Sequence, residues 1–383
     1  MSPVQSTPPT LPAIAGIKAA QVCLPCPDLA ATLDFFLSKL GFRVDLIFPA
    51  DAPDTAVISG HGLSLRLVQE AAATADPQSM AQPPSLYLLC DTHAWPAEFS
   101  AKLPQPLVAP GGIRIYWQEQ QSNMVVPPTE QKVVLCRNTG LDAWHVGRAG
   151  LEYRDLLPGR LGGAFVASQI RVPRGGPVAD YVHFHKVRFQ MIFCKTGWVR
   201  VVYEDQGSPF LLQAGDCVLQ PPEIRHRVLE ASEGMEVIEV GCPAIHETTA
   251  DHKLKLPTAG LVPNRRFSNQ RFVRHHAAQA PWQGWRLPGF EVRDIGIAAA
   301  TDSLAGVQVV RPDRHSTYAT VADSHQGEFM FWFVLAGSLH LDSPTLGKFH
   351  LLTGDSCVLP TGTEFSLRPE PGLELLEVTL PAR

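Results

Sequence analysis

Apolar and polar residues alternate in short runs along most of this chain, and glycine, proline and other turn formers separate the runs. Alternation puts successive side chains on opposite faces of a strand, so the pattern predicts a mostly β protein with many turns. Beyond residue 150 the runs are QMIFC, WVRVVYE, PFLLQ, CVLQ and MEVIEV, then FMFWFVL, SLHLD, KFHLL and SCVLP. One early segment has a helical period instead. Over residues 28–40 (DLAATLDFFLSKL), Leu29, Leu33, Phe36, Leu37 and Leu40 share a face, Asp28 is placed to cap the start and Gly41 to stop it. Around it KAAQVCL, RVDLIF, AVISG and LSLRLV read as strands. SLYLLCD, a helix-like PAEFSAKL, IRIYWQE and KVVLCR follow, which predicts two βαββ-like halves.

The second part of the chain repeats itself. Gly150-Leu-Glu-Tyr-Arg-Asp155 recurs as Gly289-Phe-Glu-Val-Arg-Asp294, and Gly215-Asp216 as Gly354-Asp355, both at an offset of 139. His185 and His325 are offset by 140, as are Gly197 and Gly337. Two copies of evenly spaced short strands around a Gly-Asp turn predict a pair of homologous closed or double-sheet β-barrels. The expected layout is a flexible tail over 1–12, an α+β domain over 13–140, one barrel over 141–256 and a second over 257–383.

Composition narrows the function classes. Apolar residues make up 45% and charged residues 18%, enough apolar material for real cores, and a net charge of −5 without a basic run argues against a nucleic-acid partner. No apolar stretch reaches the ~20 residues of a membrane helix, and the start lacks a basic segment followed by an apolar one. Eight cysteines without a framework spacing point to reduced thiols and a cytoplasmic location. Cys23-Leu-Pro-Cys26 has the spacing of a redox pair but stands before the expected helix rather than at its N-terminus, so plain thiols are favoured. The expected partner is a small-molecule substrate, with no nucleic acid and no membrane, in a chain open to homo-oligomerisation.

The candidate chemistry lies in the first copy. His183 and His185 are two apart on a strand and project to one face. Gln190 falls on the next strand and His226 on a later one, closing a shell around one divalent metal ion per chain. Three imidazoles suit Fe(II), Zn, Ni, Cu or Mn. With Gln190 as an amide the ion keeps its full charge, which favours an anionic, chelating substrate. Gln190 either ligates or donates a hydrogen bond. Arg171, Arg188 and Arg200 are candidate anion contacts, and Cys194 shares the strand parity of Gln190; Cys217 is a second barrel thiol, and small apolar filling is the default for both. His246, His252, His275 and His276 have the irregular spacing of ordinary linker histidines. At the matching places of the second copy stand Asp323, His325, Met330 and Phe365, a set expected to pack rather than ligate. Glu328 beside His325 leaves room for a small polar site.

These residues resemble the two cupin motifs, Gly-x5-His-x-His-x3,4-Glu-x6-Gly and Gly-x5-Pro-x-Gly-x2-His. Gly176, His183, His185, Gln190 and Gly197 match the first with one extra residue and glutamine in the place of glutamate. Gly215, Pro221 and His226 match the second, with Glu223 where glycine is usual. The resemblance covers residues ~145–383 and implies tandem cupin barrels, RmlC-like jelly rolls also called double-stranded β-helices. Residues 21–41 resemble the opening of the vicinal-oxygen-chelate (glyoxalase, bleomycin-resistance) family, whose modules are βαβββ. Gln21 falls at that family's first metal ligand, whereas Leu65 and Arg66 stand where its acidic ligand belongs, which implies a degenerate domain. Together the resemblances imply a metal-dependent dioxygenase, Fe(II) favoured, similar to gentisate-type ring-cleaving bicupins. A non-redox lyase, decarboxylase or isomerase, and a non-catalytic ligand sensor or scaffold, are the alternatives.

Overall fold

The computed structural model describes residues 20–49, 52–70, 84–90, 106–119, 124–138, 144–315 and 320–383. The expected tail and the PAEFSAKL helix lie outside these residues. The chain forms two compact units, Met1–Asn123 and Met124–Arg383. Among the described residues, no helix is long and apolar enough to cross a membrane.

In the first unit Val22–Cys26 runs parallel to Leu63–Gln69, and Thr55–Gly60 and Arg43–Phe48 extend the sheet antiparallel. With the intervening helix this is a βαβββ connection. Asp28 caps the helix by accepting from the Ala31 N–H at 3.0 Å, and Gly41 beyond its end has φ 69°. The helix is α over Leu29–Asp34 and π over Phe35–Lys39. The wider turn admits an extra residue and rotates the apolar face. Phe35 is therefore buried with Phe36 and Leu40, while the expected Leu33 and Leu37 are only half-buried. Ser85–Cys90, Leu107–Val108 and Arg114–Glu119 make a second, three-stranded sheet whose Leu88, Ile113 and Ile115 share the core of the first. Gln21 is exposed and its amide oxygen accepts from Arg66 at 3.0 Å, so the arginine takes up the oxygen a metal would use. Cys23 is exposed and Cys26 buried, on a strand where residues three apart face opposite ways.

The second unit holds two double-sheet barrels, the architecture the bicupin resemblance implies. In the first, a seven-stranded sheet contains Phe189–Thr196, Met235–Cys242, Val166–Val172 and Glu152–Asp155. It faces a sheet ordered Phe210–Gln213, Trp198–Tyr203, His226–Ala231, His183–His185 and Thr248–Ala250. In the second, Phe329–Ala336, Glu374–Leu380, Gly306–Pro312 and Phe290–Asp294 face Val321–His325, Thr363–Pro369, Ser338–Ser343 and Gly347–Leu352. Strand parity assigns each side chain a side. Phe189, Met191 and Phe193, with Phe329, Phe331 and Phe333, build one core shared by the barrels, where Phe165 stacks on Phe329 at 3.9 Å. The residues between them, such as Ile192 and Cys194 in one copy and Met330 and Trp332 in the other, face the barrel interiors.

Two strands cross between the copies. Val134–Cys136, from the KVVLCR run expected with the N-terminal region, pairs instead with Ser356–Val358 of the second barrel. Val273–His275, from the linker, pairs with Cys217–Leu219 of the first. Each barrel thus gains an edge strand from the chain that precedes the other barrel. Alternation alone cannot tell which sheet a strand joins.

Candidate metal centre

His183 and His226 are direct cross-strand partners, and His183–His185 is flanked on its other side by Thr248–Ala250. The ring centroids lie 4.3 Å apart for His183 and His226, 5.1 Å for His183 and His185, and 5.3 Å for His185 and His226. One ring nitrogen from each lies within 4.8 Å of the other two. Glu223, in the turn before His226, has φ 61°, which explains why glycine is usual there. Its N–H donates to the His185 carbonyl at 2.9 Å and ties the turn to the histidine strand.

The donor set fits a metal ion. His183 Nδ1 donates to the Tyr181 carbonyl at 2.8 Å and His226 Nδ1 to the Ile224 carbonyl at 3.0 Å, which makes each Nε2 an acceptor, of Arg148 and Gln220 here and of an ion once those groups turn aside. His185 Nδ1 lies 3.2 Å from the Thr248 hydroxyl. Burial keeps all three imidazoles neutral. It lowers His183 below its ordinary value, takes His185 down to about 3 with help from His183 and His246, and holds His226 far below the usual range. Neutral imidazole is the ligating form.

Gln190 is buried beside the triad. Its Nε2 donates to Glu239 at 2.5 Å, and its Oε1 accepts from Gln220 Nε2 at 3.2 Å. Gln220 Nε2 also lies 3.2 Å from His226 Nε2, and its Oε1 accepts from the Tyr203 hydroxyl at 2.8 Å. Glu239 thus fixes the amide's orientation with its oxygen on the histidine side. Arg148 pairs with Asp180 and sets Nη2 3.0 Å from His183 Nε2. These groups line one cavity of about 310 Å³, together with His246, Tyr153 and apolar side chains such as Ile192, Val201 and Val237. That size suits a small molecule.

The structure puts the expected anion contacts elsewhere. Arg171 pairs with Glu152 at 2.6 Å and lies over the Trp144 ring, Arg188 pairs with Glu328 at 3.0 Å, and Arg200 pairs with Glu230 at 3.1 Å. None of the three lines the cavity: Arg171 and Arg200 have strand positions that turn them away from it, and Arg188 lies in the bend before Phe189–Thr196. Arg148 and Arg160 line the cavity instead, Arg148 from the turn between the Trp144–Val146 and Glu152–Asp155 strands of the first barrel. Cys194 does face inward, but it is packed among apolar neighbours with its thiol pushed up to about 12 by burial. Cys217 lies in the core between the barrels, its thiol likewise raised by burial.

Arg148, Gln220, Glu239 and His246 were not among the sequence expectations. Glu239 had a visible signal, a charge in phase with the inward-facing Met235 and Val237 of its strand. Of the linker histidines, His246 lies 5.3 Å from His185, and Thr248–Ala250 adds a strand beside the triad. His252 lies near Tyr181 at 6.2 Å, His275 is buried on the crossing strand, and His276 lies 3.8 Å from Asp216.

In the second barrel Met330 and Phe365 are packed in the interior, and His325 is buried with its Nε2 lacking a hydrogen-bond partner. Asp323, in the place of His183, pairs with Arg286 at 3.1 Å and with Arg383 at 2.9 Å. Arg286 also forks onto Glu377 at 2.8 and 2.9 Å, and Glu377 accepts from Trp332 at 2.9 Å. Glu328 is engaged by Arg188 and Thr129 rather than joined to His325.

No family model and no curated protein matches this chain. Similar solved structures include protein Ylba from E. coli, with a TM-score of 0.49 at 11% identity, covering 68% of this chain and 96% of that one. A mutant of Bacillus subtilis oxalate decarboxylase gives 0.48 at 13% identity, covering 68% and 79%. Salicylate 1,2-dioxygenase from Pseudaminobacter salicylatoxidans gives 0.48 at 16% identity, covering 67% and 86%.

Proposed function

We propose that this chain is a bicupin dioxygenase. One divalent metal ion, Fe(II) by preference, is held by His183, His185 and His226 with Gln190 at the edge of the shell, and the substrate is a small anionic or enolisable molecule, aromatic ones included. The observation that carries this reading is the convergence of three neutral imidazoles on one cavity with Arg148 in its wall. The ion would supply Lewis-acid activation and open positions for a chelating substrate and dioxygen. Arg148 would hold the substrate's anionic group, the apolar wall would exclude water, and Glu239 would keep the Gln190 amide oriented. The same donors admit Zn, Ni, Mn or Cu.

Glu239 supports a second reading. A carboxylate in the cavity wall is placed to take a proton, as a non-redox lyase, decarboxylase or isomerase acting on a small carboxylate would need. The proposal includes a degenerate vicinal-oxygen-chelate domain ahead of the barrels, boundaries near 140 and 256 apart from the two strands that cross them, a cytoplasmic location and freedom to form homo-oligomers. Elemental analysis of the purified chain, followed by oxygen uptake with small hydroxy- and ketocarboxylates, tests it. Iron with substrate-dependent oxygen uptake is the expected result. Turnover without oxygen uptake selects the second reading, and tight ligand binding without turnover makes the chain a sensor or scaffold. His185→Ala is expected to lose most of the metal bound at this site, and full occupancy of the site in that variant overturns the assignment.

A further inference from the structure

The outer face of the second barrel carries another group of metal-binding character. His340 on Ser338–Ser343 and His350 on Gly347–Leu352 are direct cross-strand partners. Their rings stack at 4.1 Å with planes 2° apart. Glu370 follows the Thr363–Pro369 strand, with Oε1 2.8 Å from His340 Nε2 and Oε2 3.8 Å from His350 Nε2. One ligand atom from each of the three lies within 4.8 Å of the other two. The Ser338 hydroxyl donates to Glu370 Oε2 and orients the carboxylate. Lys348 nearby has its charge paired with Asp342 at 3.1 Å.

The first barrel shows what this place holds in the other copy. Arg200 and Leu211 are the corresponding cross-strand pair, at offsets of 140 and 139 from His340 and His350. Glu230 stands 140 residues before Glu370 and pairs with Arg200 at 3.1 Å. The glutamate therefore faces a guanidinium in one copy and two imidazoles in the other.

We infer that His340, His350 and Glu370 form a second divalent-cation site, of a kind that takes zinc, on the outer face of the second barrel. Two imidazoles and a carboxylate are a zinc donor set, with Zn–N distances of about 2.0–2.1 Å, and the partly exposed position leaves a coordination place for water. The ion takes the role that the Arg200 guanidinium plays in the first barrel. It joins two adjacent strands and the segment after a third.

Zinc titration of the full-length chain against a chromophoric chelator tests the site. The wild type is expected to bind two zinc ions per chain. His350→Ala and Glu370→Gln each lose one and keep the circular-dichroism spectrum of the wild type. His185→Ala keeps the outer ion, and Ser338→Ala weakens it by roughly tenfold, the usual cost of losing a group that orients a ligand. A wild type that binds a single ion, lost in His350→Ala and kept in His185→Ala, still supports this site and counts against the inner one. Zinc stoichiometry and affinity unchanged in both His350→Ala and Glu370→Gln overturn the inference.

Discussion

The interiors of the two barrels start from the same positions and end with opposite chemistry. Ile192 pairs with Glu239 in one, and Trp332 with Glu377 in the other, so the two glutamates hold the same place on the same strand. Arg148 and Arg286 also correspond. Each stands two residues beyond the strand residue that pairs with the repeated glutamate, Glu152 or Glu291. In the first barrel the interior keeps room, and Glu239 is bonded to the Gln190 amide while Arg148 lies at the wall beside His183. In the second, Met330, Trp332 and Phe365 fill the interior, and Arg286 reaches the glutamate and clamps it. A buried charge must be partnered. The second barrel meets that need inside the protein, whereas the first leaves its donors for something from outside.

The largest test of this contrast removes the clamp. Glu377→Ala leaves Arg286 and the Trp332 N–H short of a buried acceptor and is expected to cost about 3–5 kcal/mol, the usual penalty for breaking a buried pair. Glu239→Ala is expected to cost under about 2 kcal/mol, because its half-buried carboxylate leaves mainly the Gln190 amide unbonded. Urea unfolding of both variants measures the difference, and equal losses would break the comparison.

A smaller effect follows from His325. Burial takes this imidazole down to about 4. The unfolded chain takes up the proton below about pH 6.5, and the folded chain only near its own lower value. The contribution is therefore complete above pH 6.5 and is lost as pH falls toward 4, by up to about 3 kcal/mol. His325→Gln is expected to flatten that part of the stability profile; a wild-type profile flat over this window would show that the buried ring is no liability.

The smallest test adds charge to the first barrel. Gln190→Glu sets a new carboxylate against Glu239 and supplies the ion with an anionic donor. Metal is expected to be retained or tightened, while a small dicarboxylate, followed by the Co(II) absorption spectrum, binds roughly tenfold more weakly, or about 1.4 kcal/mol. Undiminished dicarboxylate binding would leave the neutral amide without a role in anion recognition.

Much of this architecture is readable from residue order. Period-two runs and repeated Gly-Asp turns are local, and they locate the barrel strands to within a few residues. The His-x-His spacing is local too, and pairing of His183 with His226 brings the third imidazole beside the first. The site's other polar groups depend on register and on distant segments. Arg148 comes from the turn between Trp144–Val146 and Glu152–Asp155 and His246 from the turn before Thr248–Ala250, so no strand pattern points to either. Arg171, Arg188 and Arg200 had the charge to bind an anion, but none lines the cavity, and each is paired with a carboxylate on a neighbouring strand or in the other barrel. The π turn at Phe35–Lys39 similarly shifts a helical face that ideal spacing places one residue away.

The strands that cross between the barrels bear on how the chain becomes a protein at all. Val134–Cys136 finds its partner only after Ser356–Val358 has been made, a separation of more than two hundred residues. Contacts so far apart in sequence slow folding, because the loop entropy is lost before the pairing repays it. A ribosome that has released the first barrel has released one missing the Val273–His275 strand beside Cys217–Leu219, and an uncovered edge of that kind invites pairing with other chains. The two barrels thus reach their final form together, and a gene cut between them would encode two halves, each holding the other's missing strand.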